Sequence, residues 1–208
     1  MSIRVLATIA IIACSAPACA DVARQRPLIL ACDSTFNPGV SGDQLRQRYG
    51  AANVSTEAVS LGEGFSSTGS VLFSADSTRR MEIAWKDTVA QRAPLFARIR
   101  GDSSAWRTPQ GLTLGLSLID VETLNGRPFQ LFGFAFDGSG FVRTWSGGTL
   151  DEASSTTCTM RARFDPAVEG PDAEQWFRQL QGEQEFSSNH PGMQALNPRV
   201  NEVVLRYP

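Results

Sequence analysis

Four cysteines stand in this chain, at 14, 19, 32 and 158, and the way they divide constrains what it can fold into. Arg4 supplies one positive charge, Val5 to Ala13 is an apolar run of nine residues, and Ala18-Cys19-Ala20 ends the stretch on small residues. The run is about half of what a bilayer span needs, and the layout is that of a cleavable export leader, residues 1–20. Cleavage after Ala20 removes Cys14 and Cys19 together and leaves Cys32 and Cys158 in a mature chain of 188 residues beginning at Asp21. In an oxidising compartment a lone cysteine pair is normally a disulfide. Joining Cys32 to Cys158 closes a loop of about 125 residues, worth up to about 4–5 kcal/mol in the chain-entropy treatment. Both halves of the mature chain are then expected to share one folded body.

Ile11-Ile12-Ala13-Cys14 resembles a lipobox, which offers a second processing route with a lipid anchor on Cys14. That route leaves Cys19 as an odd thiol, so cysteine parity favours soluble export. The expected location is periplasmic or secreted, with a lipoprotein as the alternative.

Composition is globular, at 42% apolar and 19% charged residues, and the length suits a single mature region, 21–208. No segment after the leader is apolar enough to span a membrane. Loss of Arg4 takes the formal net charge from −2 to −3. The sequence shows no run of basic residues and no interleaving of Lys or Arg with aromatics, so nucleic acid is not an expected partner.

Along the chain, Gly39-Val40-Ser41 opens a stretch ending at Tyr49 and closed by Gly50. Ser41 suits an N-cap, Asp43 the helix N-terminus, Arg46 and Arg48 its C-terminus, and Gly50 a left-handed cap. Strand signals come next at Asn53 to Val59, Ser70 to Phe73, Arg80 to Trp85 and Phe96 to Arg100, with a mobile loop expected over Gly62 to Gly69. The order then recurs with an offset of 76: Gly115-Leu116-Ser117, an apolar Val121 matching Leu45, and a closing Gly126. Strands are expected over Phe129 to Phe136, Phe141 to Trp145, Thr157 to Phe164 and Val200 to Tyr207, with a further helix over Asp172 to Gln181. This reads as α+β: antiparallel sheets with short helices, arranged as two tandem helix-plus-meander repeats, approximately 33–105 and 109–208.

Helix-then-meander units opened by Gly-x-Ser and closed by Gly resemble the tandem repeats of β-lactamase inhibitor proteins and the small SmpA/OmlA-type domain of outer-membrane assembly lipoproteins. Trp106 to Gly111, Ser117 to Phe129 and Gly133 to Gly140 also resemble segments of a family of exported bacterial proteins to which no activity is assigned. The resemblance implies a sheet face that presents side chains to a partner. The chain departs from the inhibitors in its long tail after Phe164 and in a cysteine pair that spans both copies.

Catalytic constellations are sparse. His190 is the one histidine, in Ser-Asn-His-Pro. Any Ser-His-Asp triad would have to use it, with Ser67, Ser139 or Ser188 as nucleophile, and none of these sits in Gly-x-Ser-x-Gly. Ligand sets for a transition metal are absent, Asp137-Gly-Ser-Gly140 lacks the later acidic ligands of a calcium loop and reads as a hairpin turn, and no cofactor is expected. Glu57, Glu63, Glu82, Asp137 and Asp151 are undistinguished candidates for paired-carboxylate hydrolysis. Among aromatics, Trp106 between the copies is the best placed to be an exposed anchor, with Trp85 and Trp145 as further members of a binding face or, alternatively, core residues. The leading expectation is a binding protein of the cell envelope, its partner another envelope protein; a carboxylate hydrolase acting on envelope polymers and a purely structural envelope protein are the alternatives.

Overall fold

The computed structural model describes residues 27–32 and 35–208; the leader, Cys14 and Cys19 lie outside them. The strands are β1 (Leu28–Ile29), β2 (Val54–Gly62), β3 (Phe65–Leu72), β4 (Met81–Asp87), β5 (Arg92–Arg100), β6 (Trp106–Arg107), β7 (Gln130–Phe132), β8 (Val142–Thr144), β9 (Thr159–Asp165), β10 (Glu185–Ser187) and β11 (Arg199–Arg206). The helices are α1 (Gly42–Tyr49), α2 (Leu118–Asn125), α3 (Gly170–Gln179) and α4 (Pro191–Leu196). The fold is α+β, and its dominant element is a six-stranded antiparallel sheet in the order β2-β3-β4-β5-β11-β9. A three-stranded sheet, β10-β7-β8, and a short parallel pair, β1-β6, complete it.

The motif that recurs at an offset of 76 has a local physical meaning. Ser41 and Ser117 are both N-caps with reciprocal capping boxes, to Gln44 and Asp120, while Gly50 and Gly126 stand just past the last turns. Leu45 and Val121 are fully buried. The segments downstream of the two helices differ. After α1, strands β2 to β5 form a continuous meander; after α2, β7 and β8 leave for the small sheet and only β9 and β11 join the large one. The matched signature therefore specifies a capped helix with one buried anchor, and the strand topology does not show a repeat.

Strand β11 inserts between β5 and β9, so the end of the chain stitches its first half to its second. One face of the large sheet, carrying Met81, Ile83, Trp85, Ile99, Met160, Phe164 and Val203, packs into the main core with Leu45, Trp106, Leu118, Phe129 and Trp145. Cys32 and Cys158 are joined across this body with Cα atoms 5.7 Å apart.

All three candidate binding-face tryptophans lie in that core: Trp106 is 0%, Trp85 1% and Trp145 3% exposed. The binding-face expectation is corrected here. Trp85 Nε1 donates to Ser70 Oγ (3.0 Å) and Trp106 Nε1 to the Arg79 carbonyl (2.6 Å). With their one polar atom satisfied, the rings bury without penalty. Trp106 packs edge-on against Phe36 and Tyr49, and Trp145 lies tilted against Phe129.

Candidate functional site

Alternation along the strands sends a second set of side chains to the opposite face of the six-stranded sheet. Val59, Val71, Ala84, Phe96 and Val204 form a small apolar cluster there. Around it stand Glu57, Arg80, Glu82, Arg98, Arg100, Glu202, Arg163, Arg161 and Arg206.

The sheet curls towards this face. Arg98 Nη2, on β5, donates to the Ser60 carbonyl on β2 at 2.9 Å, although β3 and β4 lie between them. Adjacent strands sit about 4.8 Å apart, so no arginine spans that gap across a flat sheet. Gly69 permits the curl: a Cβ there would stand 2.5 Å from the Ile83 carbonyl and 2.7 Å from a Val59 methyl. The Gly62 to Gly69 segment, expected as a mobile loop, is therefore mostly strand. Only Glu63 and Gly64 turn the chain, both with positive φ, as a two-residue hairpin of the type I′ class requires. This β2-β3 arm folds over the apolar cluster and leaves Leu61 and Phe65 exposed near its tip.

Glu82 is the buried centre of the charge network. Its Oε2 accepts from Arg98 Nε (3.2 Å) and Nη2 (2.7 Å), and its Oε1 from Arg100 Nη2 (3.3 Å) and Arg80 Nη2 (3.5 Å). Arg80 also reaches Glu57 at 3.1 Å. The Ser55 hydroxyl, bonded to Glu57 at 2.5 Å, and then Arg80 hold the Glu57 carboxyl below its ordinary range. Arg98 lies over the Phe96 ring, 4.7 Å from its centroid.

Glu202 stands on β11 in register with Arg100 on one side and Arg163 on the other. Burial pushes its carboxyl above the usual carboxylate range, against the opposing pull of Arg98, Arg163, Arg100 and Arg206. Arg163 is turned to other work: its Nε and Nη2 donate to Ser139 O (2.9 Å) and Oγ (3.0 Å), fixing the Asp137-Gly-Ser-Gly140 turn over the edge of β9.

The structure brings together two of the five carboxylates singled out in the sequence, Glu57 and Glu82, bridged by Arg80. Glu63 lies at the arm tip, Asp137 in the β7-β8 turn, and Asp151 in a 3-10 turn where it accepts from Gly147 N. His190 caps α4, its Nδ1 accepting from Gly192 N at 3.1 Å. Ser188 is buried and donates to Glu122, Ser139 is held by Arg163, and Ser67 lies on the β2-β3 arm opposite Val59. Among the described residues no serine hydroxyl bonds His190, and no three His, Cys, Asp or Glu side chains gather as a metal site.

The arginines and Glu202 were not singled out from the sequence. A partial signal was present: Arg98-x-Arg100 and Arg161-x-Arg163 occupy alternate positions of apolar strands. That β9, β11 and β5 are neighbours, which makes these pairs one patch, is not written in any of the three segments. Family models, curated proteins and solved structures were compared with this chain, and none matches it.

Proposed function

We propose that this chain is an exported binding protein of the cell envelope that engages an acidic protein partner through the arginine-rich face of its six-stranded sheet. The observation that carries this reading is the charge of that face: Arg80, Arg98, Arg100, Arg161, Arg163 and Arg206 outnumber Glu57, Glu82 and Glu202, in a chain whose formal net charge is −2. Electrostatic complementarity of this kind steers association and fixes register. The leader-like N-terminus and the Cys32–Cys158 pair support an envelope location.

The test is capture from an envelope extract by the immobilised mature protein, at low and high salt. Arg80→Gln combined with Arg100→Gln removes two positive charges and leaves Arg98 to neutralise Glu82. The expected result is salt-sensitive capture by the parent and its loss in the double variant, with folding retained. Equal capture by both would overturn the reading.

A hydrolytic reading has one observation in its favour, the buried Glu202 with its raised carboxyl pKa, the environment of a general acid. It requires a second, free carboxylate, and the oxygens of Glu82 are already occupied by guanidinium donors. Hydrolysis of envelope polymers that is lost in Glu202→Gln would favour it over binding.

A further inference from the structure

At the β9 end of the same face, Arg161 and Arg206 border an open cleft of about 240 Å³, with Thr156, Thr159 and Cys158 along its wall. Arg206 pairs with Thr159, and Val204, two residues earlier, pairs with Arg161. The two arginines are thus diagonal neighbours on one face, a separation long side chains readily close. Neither forms an ion pair or a side-chain hydrogen bond among the described residues. Burial, and then the like charges of Arg206 and Arg143, hold the Arg161 guanidinium below its usual range; Arg143 itself lies 3.4 Å from Glu185. Arg161 is also partly buried. Gathering like charges without a counter-charge costs free energy, and a folded chain normally offsets such a cost with a carboxylate. Glu202 supplies part of that offset to Arg206, whereas Arg161 has no carboxylate paired with it among the described residues.

Thr156 and Thr159 add two hydroxyls to the wall, which Ser155, Tyr207 and Pro208 complete. The Thr156 and Thr159 hydroxyls have no side-chain partner among the described residues. The turn that carries Thr156 is fixed from within, because Ser155 Oγ accepts from Thr157 N (3.2 Å) and Cys158 N (3.3 Å). The disulfide at Cys158 pins the same turn to Cys32. Two guanidiniums and two hydroxyls offer more donors than a planar carboxylate can use. A phosphoryl group, with three terminal oxygens and a charge of about −1.5 to −2, matches both the donor number and the two positive charges.

We propose that Arg161 and Arg206, with Thr156 and Thr159, form a receptor for a phosphoryl group, carried either by free phosphate or by a lipid headgroup. Arg161 and Arg206 belong to the face that the protein-partner reading invokes; the Arg80→Gln/Arg100→Gln variant leaves this cleft intact, so the two readings fail in different variants.

Calorimetric titration with inorganic phosphate, against chloride at matched ionic strength, tests it on the full mature protein. The expected result is saturable binding that weakens by about tenfold or more in Arg161→Gln/Arg206→Gln, in line with the strength of charge-assisted hydrogen bonds. The ligand-free double variant should melt no lower than the parent, since repulsion has been removed; a lower melting point would mean that the arginines are structural and would overturn the proposal. Sedimentation with phosphatidylcholine vesicles, with and without phosphatidic acid, separates the sources: pelleting that requires phosphatidic acid and both arginines identifies a lipid headgroup, while binding of phosphate alone identifies the free anion. Failure of both arms, or wild-type affinity in the variant, overturns the site.

Discussion

Arg98 donates two hydrogen bonds to the same carboxylate oxygen of Glu82, through Nε at 3.2 Å and Nη2 at 2.7 Å, and both side chains are at least nine-tenths buried. Breaking such a pair from one side strands a buried charge. Glu82→Ala should therefore destabilise the fold by about 3–5 kcal/mol, whereas Arg80→Gln, which removes an outer and half-exposed partner, should cost about 1 kcal/mol or less. Urea denaturation of both variants checks the difference; equal losses would show that burial of the Glu82–Arg98 pair is not what matters.

Glu202 gives stability a pH dependence of defined sign. Its carboxyl titrates higher in the folded chain than in the unfolded one, so its charged form opposes folding. That penalty is fully present above the folded value and disappears as pH falls below the unfolded value. Glu202→Gln should accordingly be more stable than the parent at neutral pH, with the gap closing on acidification. Thermal melts over the acid range test this, and a gap that widened towards low pH would reverse the assignment.

Glu57 acts in the opposite sense. Its carboxyl is held low by Ser55 and Arg80, so its contribution is present above the unfolded value and fades as pH falls through the folded one. Ser55→Ala should weaken that contribution at neutral pH, and NMR titration should find the Glu57 carboxyl moved back towards its ordinary range.

The curl over the charged face depends on the absence of a side chain at residue 69. Gly69→Val should push the β2-β3 arm away from β4, because even a Cβ meets the Ile83 carbonyl at 2.5 Å. A loss of about 2 kcal/mol or more is expected from overpacking, together with faster hydrogen exchange at Val59 and Ser60. Unchanged exchange in the arm would show that the curl does not rest on Gly69.

Reduction of Cys32–Cys158 should lower stability by about 2–4 kcal/mol, with the chain-entropy limit near 5 kcal/mol for so long a loop. Urea melts with and without reductant, alongside a Cys32→Ser/Cys158→Ser variant, measure it. Coincident curves would mean that strand β11 alone holds the halves together.

Features that the chain settles locally were legible in the sequence alone. The capping boxes at Ser41 and Ser117 and the alternating stretches that became β4, β5 and β9 depend on residues within one turn or two positions of one another. The Cys32–Cys158 pair was legible for a different reason: with a leader expected to carry away Cys14 and Cys19, parity left no other partner. Tertiary structure decided the features that depend on distant pairing. Placing β11 between β5 and β9 turned arginines scattered from 80 to 206 into one patch where the sequence shows no basic run. It also broke the apparent repeat after α2. Internal acceptors on Ser70 and Arg79 drew Trp85 and Trp106 into the core, and the space beside Gly69 drew the arm across the sheet. Period and capping are short-range properties of the sequence, whereas neighbourhood and burial are fixed only when segments far apart in the chain meet.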